Sequence, residues 1–168
     1  IPLTFDGKAT FMIQNILPAT LCAYLQGFKV EEIKLALQTF IPGPATTPGR
    51  MNIFKFRNFE VLVDFAHNPD GFQAISNYLS KVNAPIKVGL IAAAGDRRDE
   101  DIRELGRIAA RTFDEIVIRQ DKNLRGRTDE EIMNLLMDGI LEIKPGLDVI
   151  RINPEKESIK YVIENAKP

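Results

Sequence analysis

From residue 60 onwards the chain alternates short runs of Val, Ile and Leu with longer amphipathic stretches, and that alternation leaves few folds open. The runs at 60–64, 86–93, 115–119 and 147–152 have the length of strands. The last three are nearly continuous in apolar residues, so both faces of their sheet should be covered, as in parallel strands joined by helices. Helices are expected from Pro69 to about Val82, Asp99 to Thr112, Thr128 to about Glu142, and Pro154 to Asn165. Met51 to Phe56 and Glu60 to Asp64, with a turn at Arg57-Asn58, read as a hairpin. The class predicted is α/β: a mostly parallel sheet, with the hairpin as one antiparallel edge.

The first forty residues follow another period. Ile13, Ile16, Leu17, Leu21 and Leu25, then Val30, Ile33 and Leu37, recur at three and four, interrupted at Gln26-Gly27. This predicts a helical hairpin over Ala9 to Phe40, in which Pro18 kinks the first helix or marks its first turn. Three prolines and two glycines between Ile41 and Arg50 form the strongest boundary signal, which places a domain junction at about residue 44. A length of 168 residues suits one domain, or one domain with a fragment of another.

Composition excludes several functions. A net charge of −1 provides no general field for nucleic acid or an acidic membrane surface. The longest apolar stretch, Val88 to Ala94, is too short to cross a bilayer. The single cysteine, Cys22, rules out an intramolecular disulfide and leaves no Cys/His zinc set, which fits an intracellular, cytoplasmic protein. Ile1-Pro2-Leu3-Thr4-Phe5 has neither a start methionine nor the regions of a signal peptide, so an excised piece of a longer chain is expected.

Four segments carry polar residues where chemistry is plausible, three of them at the carboxyl ends of expected strands, where α/β sheets bind ligands. Asp64-Phe65-Ala66-His67-Asn68-Pro69-Asp70 brings an acid and the chain's one histidine to the start of a helix. Asn68 before Pro69 also has a purely structural explanation as a helix cap. Gly95-Asp96-Arg97-Arg98-Asp99 follows the next strand. Gly95 allows a sharp turn and Asp99 can cap a helix, which leaves Asp96, Arg97 and Arg98 for a carboxylate or phosphate, or for local ion pairs. Asp121-Lys122-Asn123-Leu124-Arg125-Gly126-Arg127 is rich in cations. Thr128 with Glu131 makes a capping box that leaves Lys122, Arg125 and Arg127 unexplained. Pro48-Gly49-Arg50 lies at the junction and reads equally as a rigid linker. Neither a phosphate-binding P-loop nor a Gly-x-Gly-x-x-Gly fingerprint occurs, and no Ser-His-Asp or Cys-His pairing is suggested.

In order and spacing, Pro48-Gly49-Arg50-Met51, Asp64-Phe65-Ala66-His67-Asn68-Pro69-Asp70-Gly71 and Gly95-Asp96-Arg97-Arg98 resemble the Mur ligase family. Phe65 stands where that family usually has tyrosine. The family, with its folylpolyglutamate synthetase relatives, joins an amino acid to a carboxylate through an acyl phosphate formed from ATP. The resemblance implies that residues 1–43 are the last strand and helices of a central ATPase domain, and that residues 44–168 are a Rossmann-like C-terminal domain. Nucleotide contacts would fall on Asn15, Arg50, Asp64, His67 and Asn68, with Met12 where a second asparagine is usual. Asp96, Arg97, Arg98, Asp121, Lys122, Arg125 and Arg127 would face the amino acid, and Arg125 would hold its α-carboxylate.

The segments Gly95 to Ile102 and Asp121 to Arg127 are most similar to those of family members that build an arginine–aspartate polymer. The partners implied are therefore arginine, an aspartate-rich carboxylate acceptor, and the missing N-terminal and central domains, with a homo-oligomer as an allowed assembly. The cofactors implied are ATP and magnesium, with the metal ligands and phosphate cradle in the missing domains. The fragment alone is expected to be inactive. Alternatives are a peptidoglycan Mur ligase, a folylpolyglutamate synthetase, or a noncatalytic nucleotide-sensing or interaction module with the same shell.

Overall fold

A computed structural model describes residues 1–119 and 124–166. Its contacts group the chain into two compact units, Ile1–Phe65 and Ala66–Pro168. No helix among the described residues is long and apolar enough to cross a membrane.

In the first unit, α1 (Met12–Leu25) and α2 (Val30–Thr39) form the expected helical hairpin. Gly27, at φ +90°, makes the reversal that an L side chain would resist. The Lys29 N–H at the start of α2 donates to Glu32 Oε2 at 2.8 Å, which satisfies one of the free donors of the first turn. Pro18 lies inside α1, so it does not mark the first turn. The strand implied before these helices is not found among the described residues. Pro2–Thr4 is a short 3-10 turn, and a strand without a neighbour has no ladder to hold its backbone.

Neither α1 nor α2 has a buried residue. Leu17, Leu21 and Tyr24 are 62%, 57% and 58% exposed, and with Thr20, Val30 and Ile33 they line an open apolar groove of about 250 Å³. A stripe that normally faces a core therefore faces outward in this chain.

β1 (Asn52–Lys55) and β2 (Glu60–Val63) pair antiparallel, Asn52 opposite Val63 and Lys55 opposite Glu60. The turn closes through Phe56 N–H donating to the Phe59 carbonyl at 2.9 Å, with the two rings stacked. The hairpin is correct, but it is a two-stranded sheet of its own rather than an edge of the parallel one. A tight turn dictates which neighbours in sequence pair. It does not dictate which larger sheet, if any, the pair joins.

In the second unit, β3 (Val88–Ile91), β4 (Glu115–Ile118) and β5 (Val149–Arg151) form a parallel sheet in sequence order. The helices are α3 (Pro69–Leu79), α4 (Asp99–Thr112), α5 (Asp129–Ile143) and α6 (Glu155–Glu164). The ladders are shorter than the apolar runs because Ala93 and similar flanking residues belong to the core without belonging to the ladder. Parallel pairing puts the carboxyl ends of β3 and β4 at one edge, so the loops that follow them are neighbours.

The core collects Ile91, Ile102, Leu105, Ile116, Leu136 and Ile140, most of them fully buried. On α4, Arg107 donates to Glu100 at 2.6 Å, to Glu104 at 2.9 Å and to Glu142 on α5 at 2.8 Å. Hydrogen bonds to Glu100, Glu142 and Glu104 raise its pKa above the usual range for arginine.

The contact between α4 and α5 rests on two glycines. A Cβ on Gly106 would overlap the Leu136 carbonyl, and one on Gly139 would overlap the Arg103 carbonyl. Backbone carbonyls cannot rotate away as side chains can, so a substitution must push the helices apart. For Gly139→Ala the intrinsic helix preference of alanine favours the variant by about 1 kcal/mol, while overpacking costs about 1–3 kcal/mol. We expect urea denaturation to show Gly139→Ala less stable than the parent chain. Equal or greater stability would contradict the close crossing.

Candidate functional site

The first candidate cluster is built on Asn52, which is 3% exposed at the start of β1. Its Oδ1 accepts from Gly49 N–H at 2.7 Å, and its Nδ2 donates to the carbonyls of Thr47 at 2.9 Å and Arg50 at 3.1 Å. Asp64, the residue after β2, supports the same loop. Its Oδ2 accepts from Met51 N–H at 2.8 Å, and the next residue, Phe65, donates its N–H to the Gly49 carbonyl at 2.8 Å. Gly49 and Met51 take left-handed conformations at φ +69° and +50°, and Met51 is buried. Arg50 is thus presented between two anchored residues, exposed, with its guanidinium carbon 5.3 Å from the centre of the exposed Phe65 ring.

Such a preorganised cation suits an oxyanion. Asp64 therefore has a structural task, holding the Arg50 loop, whatever else it binds. Asn52 was missed by the sequence reading. Asparagine is unfavourable in strands, and its place at the head of β1 was the available signal.

Asn15, on α1, is exposed, with its amide nitrogen 3.8 Å from Met12 Sδ. In the second unit, Asn68 caps α3: its Oδ1 accepts from Gly71 N–H at 2.8 Å, with Pro69 as the first helical residue. The capping explanation of Asn68 is thus realised. His67 is half-buried immediately before the cap.

The second cluster joins the loops after β3 and β4. Gly95 meets the Leu124 carbonyl so closely that a Cβ there would overlap it, and the Leu124 side chain packs on the core. Arg127 binds the first loop: Nε donates to the Gly95 carbonyl and Nη2 to the Arg97 carbonyl, both at 3.0 Å. The same guanidinium pairs with Asp99 at 2.7 Å and Glu131 at 3.0 Å. The hydrogen bond to Asp99 is the main cause that raises the Arg127 pKa above its usual value.

Two cap expectations change as a result. Asp99 is the first residue of α4 rather than its cap, because the extended residue before the helix is Arg98, and the Asp99 carboxylate pairs with Arg127 instead. Thr128 does cap α5 by accepting from Glu131 N–H at 3.2 Å, but the Glu131 carboxylate turns to Arg127, so the reciprocal half of the box is not formed.

Arg98 forms a bidentate pair with Asp101, at 2.9 and 2.7 Å. That hydrogen bond holds the Asp101 carboxyl below the usual carboxylate range. Asp96 pairs with Arg125 at 2.9 Å and lies 3.8 Å from Arg97 Nε, a nitrogen that is buried without a hydrogen-bond partner among the described residues. Arg125 itself is left-handed, at φ +47°. The structure thus brings Asp96, Arg97, Arg125 and Arg127 together, and leaves Arg98 in a local pair beside them. Asp121 and Lys122 lie outside the described residues. Among the described residues, no group of three or more His, Cys, Asp or Glu is arranged to hold a metal ion.

Comparison with known proteins gives this arrangement its relatives. Cyanophycin synthetase of Crocosphaera subtropica is 41% identical over 164 residues, which are 98% of this chain and 19% of that protein. The chain therefore spans about one fifth of the length of that relative. A solved UDP-N-acetylmuramoylalanyl-D-glutamyl-2,6-diaminopimelate--D-alanyl-D-alanyl ligase from Acinetobacter baumannii shares the fold, with TM-score 0.63, 20% identity, and 92% of this chain against 30% of that one. E. coli FolC in complex with ADP does so as well, with TM-score 0.62, 18% identity, and 84% of this chain against 30% of that one. The family model described as "Mur ligase, glutamate ligase domain" matches residues 49–168, and the chain accordingly belongs to the Mur ligase family.

Proposed function

We propose that this chain is the C-terminal domain, with the end of the central domain, of an ATP-dependent ligase that adds arginine to an aspartate side-chain carboxylate, a reading supported by its similarity to cyanophycin synthetase. The carrying observation is the Asp96–Arg125 pair on two adjoining loops. Arginine brings a guanidinium and an α-carboxylate, the same two groups that the pair consists of. It can therefore exchange with the internal pair, placing its guanidinium on Asp96 and its α-carboxylate on Arg125, with Arg97 beside them.

In the whole enzyme, the terminal phosphoryl group of ATP passes to the aspartate carboxylate, leaving ADP and an acyl phosphate. The α-amine of arginine then attacks the acyl carbon. The C–N bond forms, the C–O bond to phosphate breaks, and the amine loses a proton. The residues present suit the nucleotide: Arg50, fixed by the Asn52 and Asp64 bonds, supplies positive charge where phosphoryl transfer develops negative charge. Asp64 and His67 would lie on the ribose and adenine side, with the Nδ2 of Asn68 and the amide of Asn15 as further donors. Magnesium would be held by groups of the preceding domains.

Residues 1–43 are read as the end of the central domain and residues 44–168 as the C-terminal domain. The open apolar groove between α1 and α2 supports this, because the rest of a central domain would cover it.

Two outcomes are expected. In the full-length protein, Arg125→Ala should raise the arginine KM about tenfold or more, the loss of one charged hydrogen bond, with little change in the KM for ATP. An unchanged arginine KM would remove Arg125 from the amino-acid site. The isolated 168-residue chain should show no ATP turnover in an isotope-exchange assay, and measurable turnover would overturn the claim that its site is incomplete.

A further inference from the structure

We propose that Arg127 is a positioning residue: it locks the loops after β3 and β4 into one platform for the amino acid and does not itself touch that substrate. The resemblance had placed it among the substrate contacts. This inference rests on the reading that Asp96 and Arg125 receive the amino acid.

All three guanidinium nitrogens of Arg127 are engaged by the chain itself: Nε by the Gly95 carbonyl, Nη2 by the Arg97 carbonyl and Asp99, and Nη1 by Glu131. Its side chain is 21% exposed, against 52% for Arg125. A carboxylate arriving from solvent would have to displace partners that Arg127 already holds, whereas among the described residues Arg125 has to release its ion pair with Asp96.

The two bound carbonyls bracket Asp96. Gly95 and Arg97 are its chain neighbours, so one side chain fixes the peptide on both flanks of the acid. On the other loop, Leu124 and Arg127 bracket Arg125: Leu124 through its contact with Gly95 and the core, and Arg127 through its fork. Between them, Arg125 and Gly126 take left-handed conformations at φ +47° and +92°. For a non-glycine residue such a conformation persists only where its surroundings fix it. Arg127 therefore sets the distance between the two groups that would grip the substrate. Lysine cannot replace the fork, since one ammonium does not span two carbonyls and two carboxylates.

The test is steady-state kinetics on the full-length protein with Arg127→Met, Arg127→Lys and Arg125→Ala, each checked for folding by circular dichroism. Arg127→Met should raise the arginine KM about tenfold, with kcat and the KM for ATP close to the parent values, and Arg127→Lys should raise it less. A folded Arg127→Met variant with an unchanged arginine KM, alongside a raised KM in Arg125→Ala, would overturn the positioning role and leave the platform reading intact. A fall in kcat with KM unchanged would also overturn it, as the mark of a merely structural role. If neither Arg125→Ala nor the Arg127 variants alter the arginine KM, the platform reading itself falls. Should Arg127→Met not fold, Arg127→Lys decides, and an arginine KM equal to the parent's contradicts the proposal.

Discussion

A single guanidinium, that of Arg127, binds the carbonyls of Gly95 and Arg97 and the carboxylates of Asp99 and Glu131. Through it, the carboxyl-terminal edge of the parallel sheet becomes one surface instead of two independent loops. Parallel pairing alone brings the loops to the same edge. It does not fix them within the fraction of an ångström that recognition needs. That precision comes from backbone against backbone, Leu124 on Gly95, and from a fork that spans both segments.

The Arg50 loop solves a similar problem with a different group. There the organiser is a neutral amide, Asn52, buried with both its oxygen and its nitrogen satisfied, assisted by Asp64. A buried polar side chain left unpaired would cost about 1–3 kcal/mol, so such a residue specifies one loop conformation strongly. In both clusters a buried or half-buried side chain bonds main-chain groups so that a more exposed arginine is held in place. In the proposed enzyme these two arginines would meet the anionic groups of two substrates, the phosphates of the nucleotide and the α-carboxylate of the amino acid.

Much of this fold was legible in the sequence. Periodicity gave every helix from α1 to α6 and the parallel strands, because burial imposes its repeat directly on apolar residues. Caps were partly legible: Asn68 and Thr128 behave as their residue types suggest, while α4 starts one residue earlier than expected, with Arg98 at the cap and Asp99 paired to Arg127. That the hairpin forms a sheet of its own was not legible, since register and turn chemistry are local but sheet membership is not. Of the candidate site, the residue types were visible and their division of labour was not. Arg97, Arg98, Arg125 and Arg127 look alike as letters. Only distances separate the local pair of Arg98 from the bracing role of Arg127 and from the exposed pair of Arg125. Asn52 escaped notice because a lone polar residue at a strand start carries no pattern until its three partners are seen.

In the proposed enzyme Asp96 and Arg125 form one amino-acid platform braced by Arg127. A crystal structure of the full-length protein with ADP and arginine tests it most directly. The substrate guanidinium should lie on the Asp96 carboxylate and the substrate α-carboxylate on Arg125, with Arg127 still bound to the Gly95 and Arg97 carbonyls. Arginine bound with both charged ends on other residues, or held by Arg127 itself, would contradict it.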